Sequence, residues 1–167
     1  MRRALLLPAL LLLAGLPAGS EPQAGMIRPG GPLHGPSAPY DPDALVIIVN
    51  PASGVNRLTQ DEVVNLFMGR EKRLPSGLVA LPVEPVGRRE LRERFYERLV
   101  NLPLVQVKTY WARMYFSGLA QPPRQARDSE EVIEMVLANK GAVGFVERSK
   151  VDARVKSVLV LGQPSHP

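Results

Sequence analysis

The sequence predicts an α/β fold, and three observations along the chain predict it. Leu45 to Val49 is an unbroken, largely β-branched apolar block, as expected of a strand that is covered on both faces. A polar loop and a capped helix follow this block. Further apolar runs alternate with helical patterns as far as Leu161, in the order βαβααα and then two strands. We therefore expect an open mixed sheet of about four to five strands, flanked by about four helices.

The opening strand, which we expect to run parallel to its neighbours, leads into a polar loop from Asn50 to Gly54. Thr59 then begins a helix, because Glu62 three residues later completes a capping box, and Gly69 ends it. In an open α/β sheet, a strand, loop and helix in this order bring a ligand to the carboxyl end of the strand.

The middle of the chain continues the alternation of predicted strands and helices. Leu78 to Val83 is predicted to be a strand, which with the first strand and helix would form a βαβ unit. Arg88 to Val100 is an amphipathic helix whose charged face is expected to be solvated and joined by i,i+4 ion pairs. In the helix from Leu104 to Phe116, an apolar and aromatic stripe is expected to pack in the core, its members being Val107, Tyr110, Trp111 and Met114.

The last third of the predicted domain contains one helix and two strands. Asp128 caps the helix and Gly141 ends it. Ala142 to Val146 and Ser157 to Leu161 are short apolar runs that indicate strands. Residues 44–161 thus form one predicted domain, which is large enough to bury a core.

Both ends of the chain are predicted to lie outside this domain. Residues 1–20 combine two arginines, an apolar stretch and small residues in the pattern of a secretory signal peptide. Residues 21–43 are a disordered tether rich in proline and glycine, and residues 162–167 are a flexible tail. We therefore expect export to the periplasm, with no membrane-spanning segment after cleavage of the signal.

The amino-acid composition of the chain limits the classes of function that we expect. Beyond residue 20 there are nineteen basic and sixteen acidic residues, a net charge of +3, which suits an anion site or simple solubility and does not indicate nucleic-acid binding. The absence of cysteine excludes disulfides and thiolate chemistry. The two histidines, His34 and His166, fall in the tether and the tail, so we expect no histidine-based triad, metal site or cofactor. We therefore expect a non-enzymatic function.

Several segments together resemble the phosphate-transport family of periplasmic substrate-binding proteins. In that family a strand ending in valine, asparagine and proline leads through a polar loop into a helix that ends with phenylalanine and glycine. The matching positions are Val49 to Pro51, Phe67 and Gly69, and Gly141 to Phe145 matches a late strand of the family. The resemblance implies a periplasmic-binding-protein-like domain that covers residues 45–161.

The chain departs from the family in two ways. Family members have two α/β lobes that close on an anion, whereas this domain is long enough for about one. A complete site would need another protein or a second copy, so a homodimer is one arrangement that would rebuild the cleft. The family's serine, glycine, threonine loop is also replaced by Val86 to Arg89, in which both hydroxyls are missing.

The resemblance and the physics of helix termini together indicate a candidate anion site. Gly87, Arg88 and Arg89 stand at a helix start, where free N–H groups, the macrodipole and guanidinium groups can hold phosphate or carboxylate. Asn50 and Ser53 could contribute hydrogen bonds from a facing loop. The alternative interpretations are a solvated arginine pair and ordinary turn chemistry.

The predicted function is that of an exported, solute-binding-like protein that binds phosphate or a similar oxyanion in connection with an ABC transporter permease. The alternative is a single-lobe interaction or adaptor module that has lost its ligand and binds another protein of the cell envelope.

Overall fold

The computed structural model describes residues 41–162, and these form a five-stranded mixed sheet with helices on both faces. The strands are β1 Leu45–Val49, β2 Leu81–Pro85, β3 Arg124–Ala126, β4 Ala142–Glu147 and β5 Lys156–Leu161. The helices are α1 Gln60–Phe67, α2 Arg89–Val100, α3 Leu104–Phe116 and α4 Ser129–Ala138. The predicted α/β class is confirmed. The predicted signal peptide, nearly all of the tether and nearly all of the tail lie outside the described residues.

The direction of β1 differs from the prediction. The strands lie in the order β3-β2-β4-β1-β5, and β1 is antiparallel to both of its neighbours, β4 and β5. β2 is parallel to β3 and β4. The expected parallel β1 and the expected βαβ unit are therefore wrong, because β1 is antiparallel to β4 while β2 is parallel to β4, so β1 and β2 run in opposite directions. A continuous apolar run reports burial on both faces, and a central antiparallel strand between helices has the same signature.

Two hydrophobic cores enclose the sheet. On one face α1, α2 and α3 cover β1 and β4, and the rings of Phe95 and Phe145 stack with their centroids 3.7 Å apart. Trp111 is buried in this core, as expected for the stripe of α3. On the other face α4 packs closely against β4, since a Cβ at Gly144 would lie 2.5 Å from Val132 Cγ1. Both cores lie within residues 41–162, so this segment has the interior of an independent domain.

Local signals placed α1 correctly and missed β3. Thr59 and Glu62 form the predicted capping box, with the Glu62 N–H donating to Thr59 Oγ1 at 3.2 Å. β3 has only three residues, of which Arg124 and Gln125 are polar and exposed, so it carries no hydrophobic pattern that sequence reasoning could use. Among the described helices, none has the length and apolar character needed to cross a bilayer.

Candidate functional site

Asn50 and Ser53 lie at the carboxyl end of β1, and their side chains are used within the fold. Asn50 Oδ1 accepts from the Ala52 N–H at 2.8 Å, while Asn50 Nδ2 donates to the carbonyl oxygens of Val136 and Leu137 at 3.0 Å. Ser53 Oγ accepts from the Val55 N–H at 3.2 Å. Both residues are buried. They close the turn after β1 and hold the last turn of α4 against it.

Gly87, Arg88 and Arg89 lie at the opposite end of the sheet. Val49 pairs with Val143 near the start of β4, whereas β2 begins beside Ala142 and runs parallel to β4, so the loop after β2 lies towards Glu147. The length of β4 separates the two groups, roughly 20 Å at the usual rise per residue. The structure therefore does not bring them together, and the predicted facing arrangement of Asn50 and Ser53 with the helix start is not the one found.

Arg88 forms an ion pair at the edge of the sheet. Its Nη2 lies 2.7 Å from Oε1 of Glu147, the last residue of β4. The Glu147 side chain is 6% exposed and its second oxygen accepts from Ser129 Oγ at 2.6 Å, whereas the Arg88 side chain is 51% exposed. Arg88 thus ties the start of α2 to the end of β4 while about half of its side chain stays exposed to solvent.

The backbone of the loop after β2 is largely engaged. The Gly87 N–H donates to the Arg127 carbonyl at 3.0 Å, and the Arg88 N–H donates to the Pro85 carbonyl at 3.2 Å. A Cβ at Gly87 would lie 2.3 Å from the Arg127 oxygen, so only glycine fits this close approach. The N–H groups of the first turn of α2, which begins at Arg89, have no partner within the helix.

Arg89 is the most solvent-exposed of the predicted ligands. Its side chain is 82% exposed and its Nε donates to Glu93 Oε1 at 2.8 Å, which is one of the predicted i,i+4 pairs. The hydrogen bond and the negative charge of Glu93 raise the pKa of Arg89. Arg89 therefore stays charged at any physiological pH and can meet an anion at the helix start.

A second Arg–Glu pair lies deeper, between α2 and β2. Arg92 Nη2 lies 2.7 Å from Glu84 Oε1, and the Tyr96 hydroxyl donates to Glu84 Oε2 at 2.8 Å. Burial raises the pKa of Tyr96 well above its usual value, and the charge of Glu84 and the hydrogen bond to it add to this rise, while the charge of Arg92 opposes it. The charged side of α2 is thus not wholly solvated, and that expectation is corrected at Arg92.

Sequence reasoning missed five residues of these two networks, namely Glu84, Arg92, Tyr96, Ser129 and Glu147. The available signal was an acidic residue within or at the end of an apolar strand, because a buried carboxylate requires a partner. Within residues 41–162 there is no cluster of three or more histidine, aspartate or glutamate side chains suited to a metal ion.

Comparison with known proteins identifies the fold. No family model matches the chain, and no curated protein matches it. An ABC-type phosphate transport receptor from Vibrio cholerae matches with a TM-score of 0.55 and 19% identity, over 70% of this chain and 45% of the receptor. A phosphate ABC transporter substrate-binding protein from Clostridium perfringens, solved with bound phosphate, matches with a TM-score of 0.54 and 17% identity, over 70% and 44% of the two chains.

These matches agree with the resemblance inferred from the sequence motifs, and at this level of identity they show the fold alone. The chain spans less than half the length of either protein. It has the fold of a single lobe of a phosphate-transport-type substrate-binding protein.

Proposed function

We propose that this chain is a single-lobe, solute-binding-like protein that holds phosphate or a similar oxyanion at the edge formed by Gly87, Arg88 and Arg89. One observation carries the proposal. A twelve-residue helix, α2, begins directly after β2 with two solvent-reaching arginines at its start, in a fold shared with phosphate receptors. Unpaired N–H groups, the positive end of the helix dipole and guanidinium groups are the features that bind phosphate.

Existing ion pairs leave room for such an anion. Arg88 has five N–H donors and the bond to Glu147 engages one terminal nitrogen, so this half-exposed side chain keeps donors for an anion while that bond persists. Ser129 gives Glu147 a second partner. Because a single lobe supplies one wall, we expect a dissociation constant of about 1 mM, equivalent to about 4 kcal/mol. A second wall, from a partner or a second copy, would exclude water and strengthen the charge interaction.

The test is an NMR titration of the chain from residue 41 onward with phosphate, sulfate and small carboxylates. We expect saturable amide shifts centred on residues 87–91, because these N–H groups would meet the anion. The double variant Arg88→Met/Arg89→Met should lose the response. Arg154→Met is the matched control, since Arg154 is also half-exposed and paired with carboxylates, but with those of Glu130 and Asp152.

Two results would contradict the proposal: no saturable shift at tens of millimolar anion, or equal binding by the double variant. An absence of binding together with co-purification of an envelope protein would instead favour the adaptor alternative. Export to the periplasm, delivery to a permease and the lack of catalytic activity remain predictions of the solute-binding model.

A further inference from the structure

An apolar surface protrudes at the end of α3. Tyr115, Phe116 and Leu119, together called the α3 tip, are 58%, 86% and 63% exposed, and they stand on the last turn of the helix and the turn that follows it. Val79 is 66% exposed and lines the same cavity as Tyr115 and Leu119. A contiguous group of large exposed apolar side chains marks a binding surface rather than ordinary surface composition.

The segment that carries the α3 tip is positively charged. Residues 98–127 contain no aspartate or glutamate and include five basic residues, Arg98, Lys108, Arg113, Arg124 and Arg127. At about 100° per residue, Phe116 lies on the outward face of α3 in line with Val105, and Lys108 and Arg113 lie on either side of that line. The helix therefore presents an apolar line between two cations.

Acidic groups near α3 either lie at its other end or already have partners. Glu93 and Glu97 line a cavity beside Leu104, at the start of the helix. Near the α3 tip, Glu71 lines the cavity of Tyr115 together with Lys72, and its carboxylate accepts from the backbone N–H groups of Lys72 and Arg73. Tyr115 also lines a cavity with Glu84, which is paired with Arg92, so Lys108 and Arg113 are the charged groups that α3 itself adds beside its tip.

We propose that the α3 tip binds the surface of an anionic lipid bilayer. Aromatic and leucine side chains enter the boundary between headgroups and acyl chains, and flanking lysine and arginine are attracted to anionic headgroups. The interaction goes beyond the proposed anion site. Tyr115 and Leu119 line a cavity with Val79 and Ala80, which precede β2, and Tyr115 and Lys108 also line a cavity with Val86, which follows β2, so the test must separate the two proposals.

Charge and size disfavour a second copy as the occupant. A two-fold interface through the α3 tip would place Lys108 and Arg113 of both copies close together, and like charges facing each other oppose association. Among residues 41–162 the large exposed apolar side chains are Val79, Val105 and the three of the tip, a small group to anchor an interface that would use about 20–30 residues on each side.

The test is co-sedimentation with vesicles, using the chain from residue 41 onward so that the apolar stretch near residues 4–16 is absent. We expect binding to phosphatidylcholine vesicles that contain phosphatidylglycerol, and much weaker binding to phosphatidylcholine alone. Phe116→Ser/Leu119→Ser should weaken binding about tenfold or more, because the apolar contacts are lost. Lys108→Gln/Arg113→Gln should weaken it by a smaller factor and reduce its sensitivity to salt.

Controls separate this surface from general charge and from free phosphate. Lys140→Gln/Lys150→Gln removes two exposed cations outside residues 98–127 and should leave vesicle binding unchanged. Inorganic phosphate at the ionic strength of a chloride control should not compete more than chloride does. Fluorescence of Trp111, the single tryptophan, which is buried on the same helix, verifies that each variant is folded.

The proposal is overturned if vesicles containing phosphatidylglycerol do not bind the chain at low salt, or if Phe116→Ser/Leu119→Ser binds them as well as the unmodified chain. Self-association that depends on Phe116 and Leu119, measured by light scattering without vesicle binding, would identify a second copy as the occupant and would also overturn it. Neither outcome bears on anion binding at Arg88 and Arg89, so the two proposals can fail separately.

Discussion

Two Arg–Glu pairs near the start of α2 have the same chemistry but differ in how exposed the arginine is. Arg92 pairs with Glu84 and Arg88 pairs with Glu147, each at 2.7 Å, and each carboxylate accepts a second bond from a hydroxyl. The carboxylates are equally buried, at 6% exposure, but the Arg92 side chain is 11% exposed and the Arg88 side chain is 51% exposed. One turn of helix separates the two arginines.

This difference in arginine exposure distinguishes a structural ion pair, Arg92 with Glu84, from a candidate ligand-binding residue, Arg88. The Arg92 pair lies between α2 and β2, where both side chains are largely buried and solvent compensates their charges little, so the pair fixes the helix on the sheet. The Arg88 pair lies at the edge of the sheet, where solvent or an anion can reach the guanidinium group. Exposure, more than residue type, therefore distinguishes Arg88 from Arg92, and three substitutions test the comparison.

Arg92→Met should have the largest effect on stability. It leaves the buried Glu84 carboxylate without its cation, which typically costs about 3 to 5 kcal/mol of the free energy of unfolding. Chemical denaturation followed by circular dichroism measures this loss. The double variant Arg92→Met/Glu84→Gln should recover part of it, because no buried charge is then left unpaired. A loss below 1 kcal/mol for the single variant would show that the pair does not stabilise the fold.

Tyr96→Phe should have an intermediate effect that depends on pH. At neutral pH it removes a buried hydrogen bond to Glu84, a loss of about 1.5 to 3 kcal/mol. The pKa of Tyr96 is raised in the folded state, so its contribution is complete below the unfolded pKa of about 10 and falls as the pH rises above it, by up to about 1.4 kcal/mol per pH unit.

Denaturation at several pH values checks the sign of this dependence. The stability difference between the unmodified chain and Tyr96→Phe should be constant between pH 7 and 9 and should shrink above pH 10, because the unfolded tyrosine then loses its proton while the folded one keeps it. A difference that grows with alkaline pH would contradict the raised pKa.

Arg88→Met should have the smallest effect, about 1 kcal/mol or less, because a half-exposed ion pair is weakened by solvent and Ser129 still bonds Glu147. The same denaturation experiment measures it beside Arg92→Met. A cost equal to that of Arg92→Met would assign Arg88 a structural role like that of Arg92, and would weaken the case that it is free to meet an anion.

Prediction from the sequence succeeded where the signal is local. The capping box of Thr59 and Glu62 depends on residues three apart, and the core stripe of α3 depends on helical spacing, so both could be found without a tertiary model. The motifs from Val49 to Gly69 and the strand after Gly141 identified the fold of one lobe, which the solved structures confirm.

Prediction failed where two distant segments had to be placed together. The run of β1 indicated burial but could not indicate direction, which depends on pairing with β4 almost a hundred residues later. The predicted site residues lie apart for the same reason, since an antiparallel β1 places Asn50 at the opposite end of the sheet from Arg88. The burial of Arg92 could not be found from α2 alone, because its partner Glu84 belongs to a strand.

The sequence by itself determined the α/β class, the helix boundaries that capping residues mark, and the resemblance to one lobe of a phosphate-binding-type protein, because these follow from short-range patterns and ordered motifs. Only the tertiary structure decided which strands are neighbours, that Arg92 is buried while Arg88 is half-exposed, and that Asn50 and Arg88 lie at opposite ends of the sheet. These properties depend on contacts between segments far apart in the chain, where solvent exclusion sets the strength of each charge interaction.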